Sequence, residues 1–349
     1  MNVFRWIKSL LMCLLLLGMV SCIKDNISEN DTIKAYLYVD VVSRADGATD
    51  LADRIYHLKV CAYNQNDELV GYKEVTQNTN QAIEMDLTES GQITFLVAAN
   101  EEYGTSETVS LDYAQFLATE LSGFYEHEGI YAPPMSNPER KSDGTNNRVF
   151  TVEENVCTSV NIVLERAVSR VCFYFAKTEE DEALEILSMK LNRGVGRGYL
   201  FLSGDASDYN TYTQEQINKI FTTKPTQKEE ILNSSLVIDN VVTDNISADN
   251  SQQGSLTYIF PCPYGSSNPD RFIWGGTTDY GSAYSYYVEL QYEVDGQKFV
   301  KNVFLPPVGQ NQTVNVLCKI PPAGKDVQVE FNVYVQNWIP VTNPDISFD

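Results

Sequence analysis

Residues 286–304 read YYVELQYEVDGQKFVKNVF, and this stretch decides the fold class. Apolar and polar residues alternate on both sides of Asp295 and Gly296, and a period of two is typical of a half-buried β-strand. The Asp-Gly dipeptide can adopt the positive φ angles that a two-residue hairpin turn requires. The sequence therefore predicts an antiparallel hairpin with strands over 286–294 and 298–304.

Similar runs on both sides of this hairpin predict an all-β chain with minor helices. The predicted strands are 35–43, 56–63, 68–75, 82–87, 92–100, 148–153, 159–165, 167–176, 256–261, 285–294, 297–305, 312–320 and 327–336. A helix over 110–121, capped by Ser110, is predicted to cover one face of the first sheet, and residues 211–221 have a helical pattern. At 349 residues we expect two tandem antiparallel β-sandwich domains of the transthyretin or Greek-key kind, over 35–165 and 166–349.

The first residues have the pattern of a lipoprotein signal peptide, predicted over 1–21. Arg5 and Lys8 give a short basic segment, residues 9–20 are apolar, and Ser21-Cys22 follows. The apolar run is shorter than the roughly 20 residues of a membrane-spanning helix. Cys22 is therefore predicted to become the lipidated N-terminus of a polar tether over 22–34. An ordinary secretory signal with an incidental cysteine is the alternative.

The charge of the chain excludes nucleic acids as partners. The sequence has 25 Lys and Arg against 47 Asp and Glu, a formal net charge of −22. Such a surface repels phosphate groups. The same imbalance argues against binding to anionic membranes through anything except the lipid.

The residue types needed for catalysis or metal binding do not occur at the spacings that such sites require. Only His57 and His127 occur, the first predicted on the polar face of a strand and the second between two glutamates. The adjacent acids Glu101 and Glu102 are interpreted as a solvated face. No zinc-type spacing is present, so we predict no enzyme activity, no cofactor and no metal site.

The cysteines do not form a disulfide pattern. Of seven, Cys13 leaves with the signal peptide and Cys22 carries lipid. An odd number without pairwise spacing remains, and most of these are predicted to be buried thiols. They are Cys61, Cys157, Cys172, Cys262 and Cys318.

Several segments, in order, resemble the FimA-type fimbrillins, which are subunits of type V pili in Bacteroidota. After the lipobox Cys22 come IYHLKVCAYNQNDELV (55–70), GQITFLVAAN (91–100), SLDYAQFLATELS (110–122), PPMSNPE (133–139), LERAVSRVCFYF (164–175), NQTVNVLCKI (311–320) and VEFNVYVQNWIPV (329–341). These segments span nearly the whole chain, although 177–255 shows no match.

The resemblance implies a structural and adhesive role. Family precursors reach the outer membrane through an N-terminal lipid, and an Arg-specific protease then removes the first strand. Here the cut would fall between Arg44 and Ala45 and release 35–43, with Arg54 as a rival site. The vacated groove would accept the C-terminal strand of another subunit, so the implied partners are fimbrial subunits, the protease, and a host or bacterial surface receptor.

The candidate donor residues form an alternating apolar series near the end of the sequence. They are Val327, Val329, Phe331, Val333, Val335, Trp338, Ile339 and Val341. The alternative is that 327–335 forms the last core strand of the second domain. A fimbrial anchor that keeps its lipid, a tip subunit, and a glycan-binding lipoprotein remain alternatives for the whole chain. The hypothesis of a glycan-binding lipoprotein depends on the aromatic residues Trp274, Tyr280, Tyr284, Tyr286 and Tyr287.

Overall fold

A computed structural model describes most of the chain. The described residues are 33–41, 54–76, 82–126, 131–141, 143–192, 195–201, 228–243, 245–262, 266, 285–324 and 329–337. The predicted helical pattern at 211–221 lies outside them, as do His127, Trp274, Tyr280 and Tyr284. In the described part, no helix is long and apolar enough to cross a membrane.

The described residues confirm an all-β fold of the β-sandwich type. Strands in the first half are β1 (Ile33–Val41), β2 (Leu58–Tyr63), β3 (Leu69–Val75), β4 (Ile83–Leu87), β5 (Gly91–Ala99), β6 (Glu120–Leu121), β7 (Met135–Ser136), β8 (Val149–Val152) and β9 (Thr158–Arg166). Those in the second half are β10 (Ser169–Lys177), β11 (Leu184–Asn192), β12 (Gly198–Tyr199), β13 (Lys228–Glu230), β14 (Leu236–Ile238), β15 (Gln252–Ile259), β16 (Tyr287–Val294), β17 (Gln297–Phe304), β18 (Gln312–Ile320) and β19 (Glu330–Asn337). A 3-10 helix (Glu101–Tyr103) and the short helix α1 (Tyr113–Leu117) complete the described elements.

Eight of the nine first-half strands form one sheet that folds back on itself. Its order is β3-β2-β5-β7-β9-β1-β4, with β8 paired to β5. The two ends of this order meet where the backbone N–H of Thr88 donates to the carbonyl of Val70 at 2.9 Å. At Gly71 a Cβ would lie only 2.5 Å from Leu87 Cδ2, so glycine permits this close approach. Apolar side chains of β1, β2, β4, β5 and β9 fill the enclosed core.

Two sheets form the second half. One has the order β15-β10-β18-β19, and the other has the order β13-β11-β16-β17 with β14 paired to β11. The hairpin predicted from Asp295-Gly296 is confirmed, because β16 and β17 pair in antiparallel register around it. Asp295 and Gly296 have φ values of 49° and 82°, as a type I′ turn requires.

Most strand pairs are antiparallel, as predicted, but two pairs are parallel. They are β1 with β9 and β10 with β18. The partners in each pair are separated by several other strands along the chain. A parallel pair needs such a long connection, whereas a short hairpin produces only antiparallel neighbours.

The outer face of the first sheet is buried at β2. Cys61 and Tyr63, which alternate with the inner residues Val60 and Ala62, are fully buried and belong to the same apolar cluster as the second-half core. Phe116 of α1 packs edge-on against Phe201, with ring centroids 5.0 Å apart. Chain segments distant in sequence therefore cover this face.

The predicted helix over 110–121 is wrong in its length and in its cap. Helix α1 spans only Tyr113–Leu117, and the Asp112 side chain, not that of Ser110, accepts a hydrogen bond from the backbone N–H of Gln115. Residues Glu120–Leu121 leave the helix and pair with Gly198–Tyr199 as strands β6 and β12. Tertiary strand pairing thus replaces the last predicted helical turn.

Strand β11 was missed from the sequence because a β-bulge breaks its alternation. The pairing with β16 shifts between Ile186 and Ser188. Buried positions accordingly change phase, from Leu184 and Ile186 to Met189 and Leu191. Strand β14 was also absent from the predicted strands, and it pairs with β11 over three residues.

The prediction for the five cysteines from Cys61 to Cys318 is confirmed. All five are thiols, and four are buried, with Cys157 exposed. Burial raises the pKa of Cys61 to about 11, which makes this thiol unreactive at neutral pH.

Candidate functional site

Strand β1 lies between β4 and β9, which do not pair with each other. It is antiparallel to β4 over residues 33–37 and parallel to β9 over residues 35–41. Among the described residues, Ala35, Tyr36 and Leu37 are therefore paired on both sides, and residues 38–41 pair with β9. The strand begins earlier than predicted, and residues 42–43 lie outside the described part of the chain.

One face of β1 fills an apolar groove. Ala35 and Leu37 are fully buried, and Ile33 is 9% exposed. The groove is lined by Ile83, Met85 and Leu87 of β4 and by Val160, Ile162 and Leu164 of β9. Without β1, this lining and the facing backbone N–H and C=O groups would be left without partners.

The opposite face of β1 contributes little to its retention. Lys34 forms an ion pair with Glu84 and lies 4.0 Å from Asp86. These side chains are largely exposed, and exposed ion pairs stabilise weakly because water screens them. Tyr38 is half exposed. Backbone hydrogen bonds and the apolar face therefore hold the strand in place.

Neighbouring substitutions on β1 should separate these two faces. We expect Leu37→Ala to lower the free energy of unfolding of the first sheet by about 2–5 kcal/mol, because a buried leucine leaves a cavity. Tyr38→Ala, on the exposed face, should change it by no more than about 0.5 kcal/mol. Urea unfolding followed by circular dichroism measures both values. Equal effects of the two substitutions would contradict the described burial of β1.

The candidate donor residues that the structure describes belong to strand β19 and its approach. Among the described strands, β19 pairs with β18 alone, in antiparallel register, and stands at the end of its sheet. Phe331, Val333 and Val335 are half-buried against the second-half core, and Val329 is 8% exposed. These residues are two positions apart, as are the buried residues on the inner face of β1. The other candidates, Val327, Trp338, Ile339 and Val341, lie outside the described residues, as do Cys22, Arg44 and Ala45.

A second cluster of polar side chains surrounds His57. Its Nδ1 lies 3.3 Å from Glu102 Oε2 and 3.4 Å from Glu101 Oε2, and its Nε2 lies 2.5 Å from Glu74 Oε1. The Lys59 ammonium contacts the other oxygen of Glu101 at 2.5 Å. Three chain segments thus meet at one imidazole, namely the entry to β2, strand β3 and the 3-10 helix after β5.

The charges in this cluster stabilise one another. Hydrogen bonds to Glu101 and Glu102 raise the pKa of His57 to about 10. Burial disfavours ionisation of Glu101, but hydrogen bonds from His57 and Lys59 outweigh that effect and hold its pKa below the usual range. Both side chains are therefore charged at neutral pH.

Asn100 fixes the position of His57 relative to the two acids. Its side-chain oxygen accepts hydrogen bonds from the backbone N–H of Tyr56 and of His57, and its amide donates to the carbonyl of Arg54. Asn100 is fully buried and has a φ of 57°, a left-handed conformation that asparagine tolerates. The 3-10 helix that carries Glu101 and Glu102 begins directly after it.

One prediction about this cluster is wrong, because the adjacent acids were expected to form a solvated face. Instead Glu101 is 3% exposed and, with His57 and Glu102, forms a group whose ligand atoms all lie within 4.8 Å of one another. The two segments are more than 40 residues apart in sequence, so no local spacing could reveal the cluster.

The fold and the β1 groove together define a class of protein. It is an all-β, β-sandwich protein whose first strand fills a gap between two strands of the first sheet.

Comparisons with known proteins find a similar fold in solved structures of adhesion and fimbrial proteins. No family model matches the chain, and no curated protein is significantly similar to it in sequence. A solved structure described as a cell adhesion protein of Parabacteroides distasonis is 12% identical with a TM-score of 0.52, covering 89% of this chain and 99% of its own. The tip fimbrial protein Mfa3 of Porphyromonas gingivalis is 14% identical with a TM-score of 0.50, covering 87% and 100%. Another described adhesion protein, from Bacteroides eggerthii, is 13% identical with a TM-score of 0.50, covering 90% and 98%. The resemblance to fimbrillins is confirmed as a shared fold with Bacteroidales adhesion and fimbrial proteins.

Proposed function

We propose that this chain is a structural, non-catalytic subunit of a type V fimbria that polymerises by donor-strand exchange and supports adhesion. The observation that carries the proposal is the position of β1 between β4 and β9, because departure of an inner strand opens a groove with two unpaired edges. The shared fold with fimbrial and adhesion proteins supports the same role.

Maturation begins with a cut between Arg44 and Ala45, shortly after the end of β1. The cut frees the Val41 end of β1, which pairs with β9 in parallel register. We expect β1 to peel from this end toward Ile33. The strand leaves with the lipid on Cys22, and this releases the subunit from the outer membrane.

A strand from a second subunit then fills the groove. An extended segment adds to exposed strand edges through its backbone, and alternate apolar side chains provide the fit. The series Val327 to Val335 and its continuation through Trp338, Ile339 and Val341 has the required alternation. Within the described part of the chain β19 has one neighbouring strand, which supports its release, because such a strand has fewer hydrogen bonds to lose than an inner strand.

The acceptor and donor functions belong to different halves of the chain. Nearly all described strands up to Arg166 join the first sheet, and nearly all from Ser169 onward join the other two. This division supports domains over 35–165 and 166–349, with the groove in the first and the donor segment in the second. The partners proposed are other fimbrial subunits, an Arg-specific protease and a surface receptor, and the location is the outer membrane surface.

Limited proteolysis tests the proposal on tag-free protein that begins at residue 23. An Arg-specific protease should cut at the Arg44-Ala45 bond, after which size-exclusion chromatography and mass spectrometry should show loss of β1 and growth into SDS-resistant ladders. A lasting monomer that has lost β1 would contradict polymerisation. An uncut monomer would contradict maturation at Arg44 and favour a lipid-retaining anchor or a tip subunit, the role borne by Mfa3.

A further inference from the structure

We infer that His57, Glu101 and Glu102 form a binding site for one divalent transition-metal ion of the Zn²⁺ class. Imidazole nitrogen and carboxylate oxygen are both ligand types that Zn²⁺ accepts. The three side chains converge from the entry to β2 and from the 3-10 helix after β5. This inference is independent of polymerisation.

The distances in the cluster suit a tetrahedral metal. Bonds of about 2.0–2.2 Å from Zn²⁺ to nitrogen and oxygen place neighbouring ligand atoms about 3.3–3.5 Å apart. His57 Nδ1 lies 3.3 Å from Glu102 Oε2 and 3.4 Å from Glu101 Oε2. The fourth position is available for water.

The Oε2 oxygen of Glu101 is positioned to bind such an ion. Its side chain is 4% exposed, and Oε1 is taken by the Lys59 ammonium. Oε2 is buried, and its contact with His57 Nδ1, at 3.4 Å, is too long and poorly aligned for a full hydrogen bond. A buried carboxylate oxygen held only by such a long contact is costly, and coordination of a cation would satisfy it.

Glu74 supplies the outer support that metal-binding histidines usually have. It contacts Nε2 of His57 at 2.5 Å, and the Tyr72 hydroxyl in turn donates to Glu74 at 2.7 Å. A carboxylate on the far nitrogen orients the ring and makes the metal-facing nitrogen a better ligand. This contact therefore directs Nδ1 toward the two acids.

Charge and access also fit a divalent cation. An ion that binds Nδ1 displaces the proton of the His57 imidazolium. The carboxylates of Glu74, Glu101 and Glu102 and the ammonium of Lys59 then leave two negative charges. One divalent ion neutralises them. The side chains of His57 and Glu102 are 19% and 34% exposed, so an ion can enter from solvent.

Isothermal titration with Zn²⁺ tests the inference. Tag-free protein beginning at residue 23, freed of metal with EDTA, is titrated in excess Mg²⁺, which occupies exposed carboxylates. We expect one equivalent to bind, and saturating Zn²⁺ to raise Tm by about 5 °C. Co²⁺ in place of Zn²⁺ should give the visible absorption of a tetrahedral site.

Substitutions locate the binding. His57→Ala and Glu102→Gln should abolish it, and Glu74→Gln should weaken it by about 10–100-fold. His127→Ala, at the other histidine of the chain, is the matched control and should bind as the wild type does. Circular dichroism checks that each variant is folded. Absence of a tight equivalent in the wild type, or binding that survives both His57→Ala and Glu102→Gln, would overturn the inference.

Discussion

Arg44→Ala is expected to leave the protein monomeric after treatment with an Arg-specific protease, under conditions in which the wild type assembles. Without the cut, the segment that joins β1 to β2 stays continuous. Strand β1 then cannot leave, and the groove between β4 and β9 stays filled. The expected result is loss of SDS-resistant ladders and no shift in size-exclusion volume.

The neighbouring arginine supplies the control for this experiment. Arg54→Ala changes the rival site and should assemble as the wild type does. Circular dichroism of both uncut variants should match the wild type. If Arg54→Ala is the variant that stays monomeric, processing occurs after Arg54, and the proposed site at Arg44 is wrong.

A disulfide between β1 and β4 is expected to block assembly even after complete cleavage. Tyr36 and Glu84 are directly opposite in this antiparallel pair. Residues in such positions have Cα atoms about 4.5–5.5 Å apart, within the range that a disulfide spans. The double substitution Tyr36→Cys with Glu84→Cys should therefore hold β1 in its groove under oxidising conditions. Cys157, the exposed native thiol, is replaced by serine to prevent mispairing.

The disulfide can be reduced again. The experiment therefore distinguishes a block of strand release from other effects of the two substitutions. After cleavage, the oxidised protein should remain monomeric, and a reducing agent should restore assembly. Each single-cysteine variant should assemble with or without the reducing agent. Polymer growth by the oxidised double variant, with the disulfide proven by mass spectrometry, would show that β1 need not leave.

Local sequence determines some elements of this fold and not others, for physical reasons. The hairpin at Asp295-Gly296 was predicted well, because turn chemistry and alternation act over neighbouring residues. Strand β11 was missed because its bulge at Ile186 interrupts the alternation. The helix over 110–121 was overextended because Glu120 and Leu121 pair with β12, a contact no local pattern reveals.

The candidate sites show the same division between local and distant contacts. The apolar face of β1 was read from alternation, but its place between β4 and β9 depends on contacts with strands far along the chain. The His57 cluster was not foreseen. It exists because Asn100 holds the entry to β2 against the 3-10 helix that follows β5.

The sequence by itself determined the β class, the acidic surface and the series of alternating segments, since these depend on residue type and short-range spacing. Only the tertiary structure decided which strand fills the groove, which face of β2 is buried, and which acids surround His57. The residues that decide these three features lie tens to more than a hundred positions apart in the sequence, as Ala35 and its pairing partner Thr158 do. The physical reason is that burial and pairing between distant strands depend on how the whole chain packs, whereas alternation records only that some face of each strand must be buried.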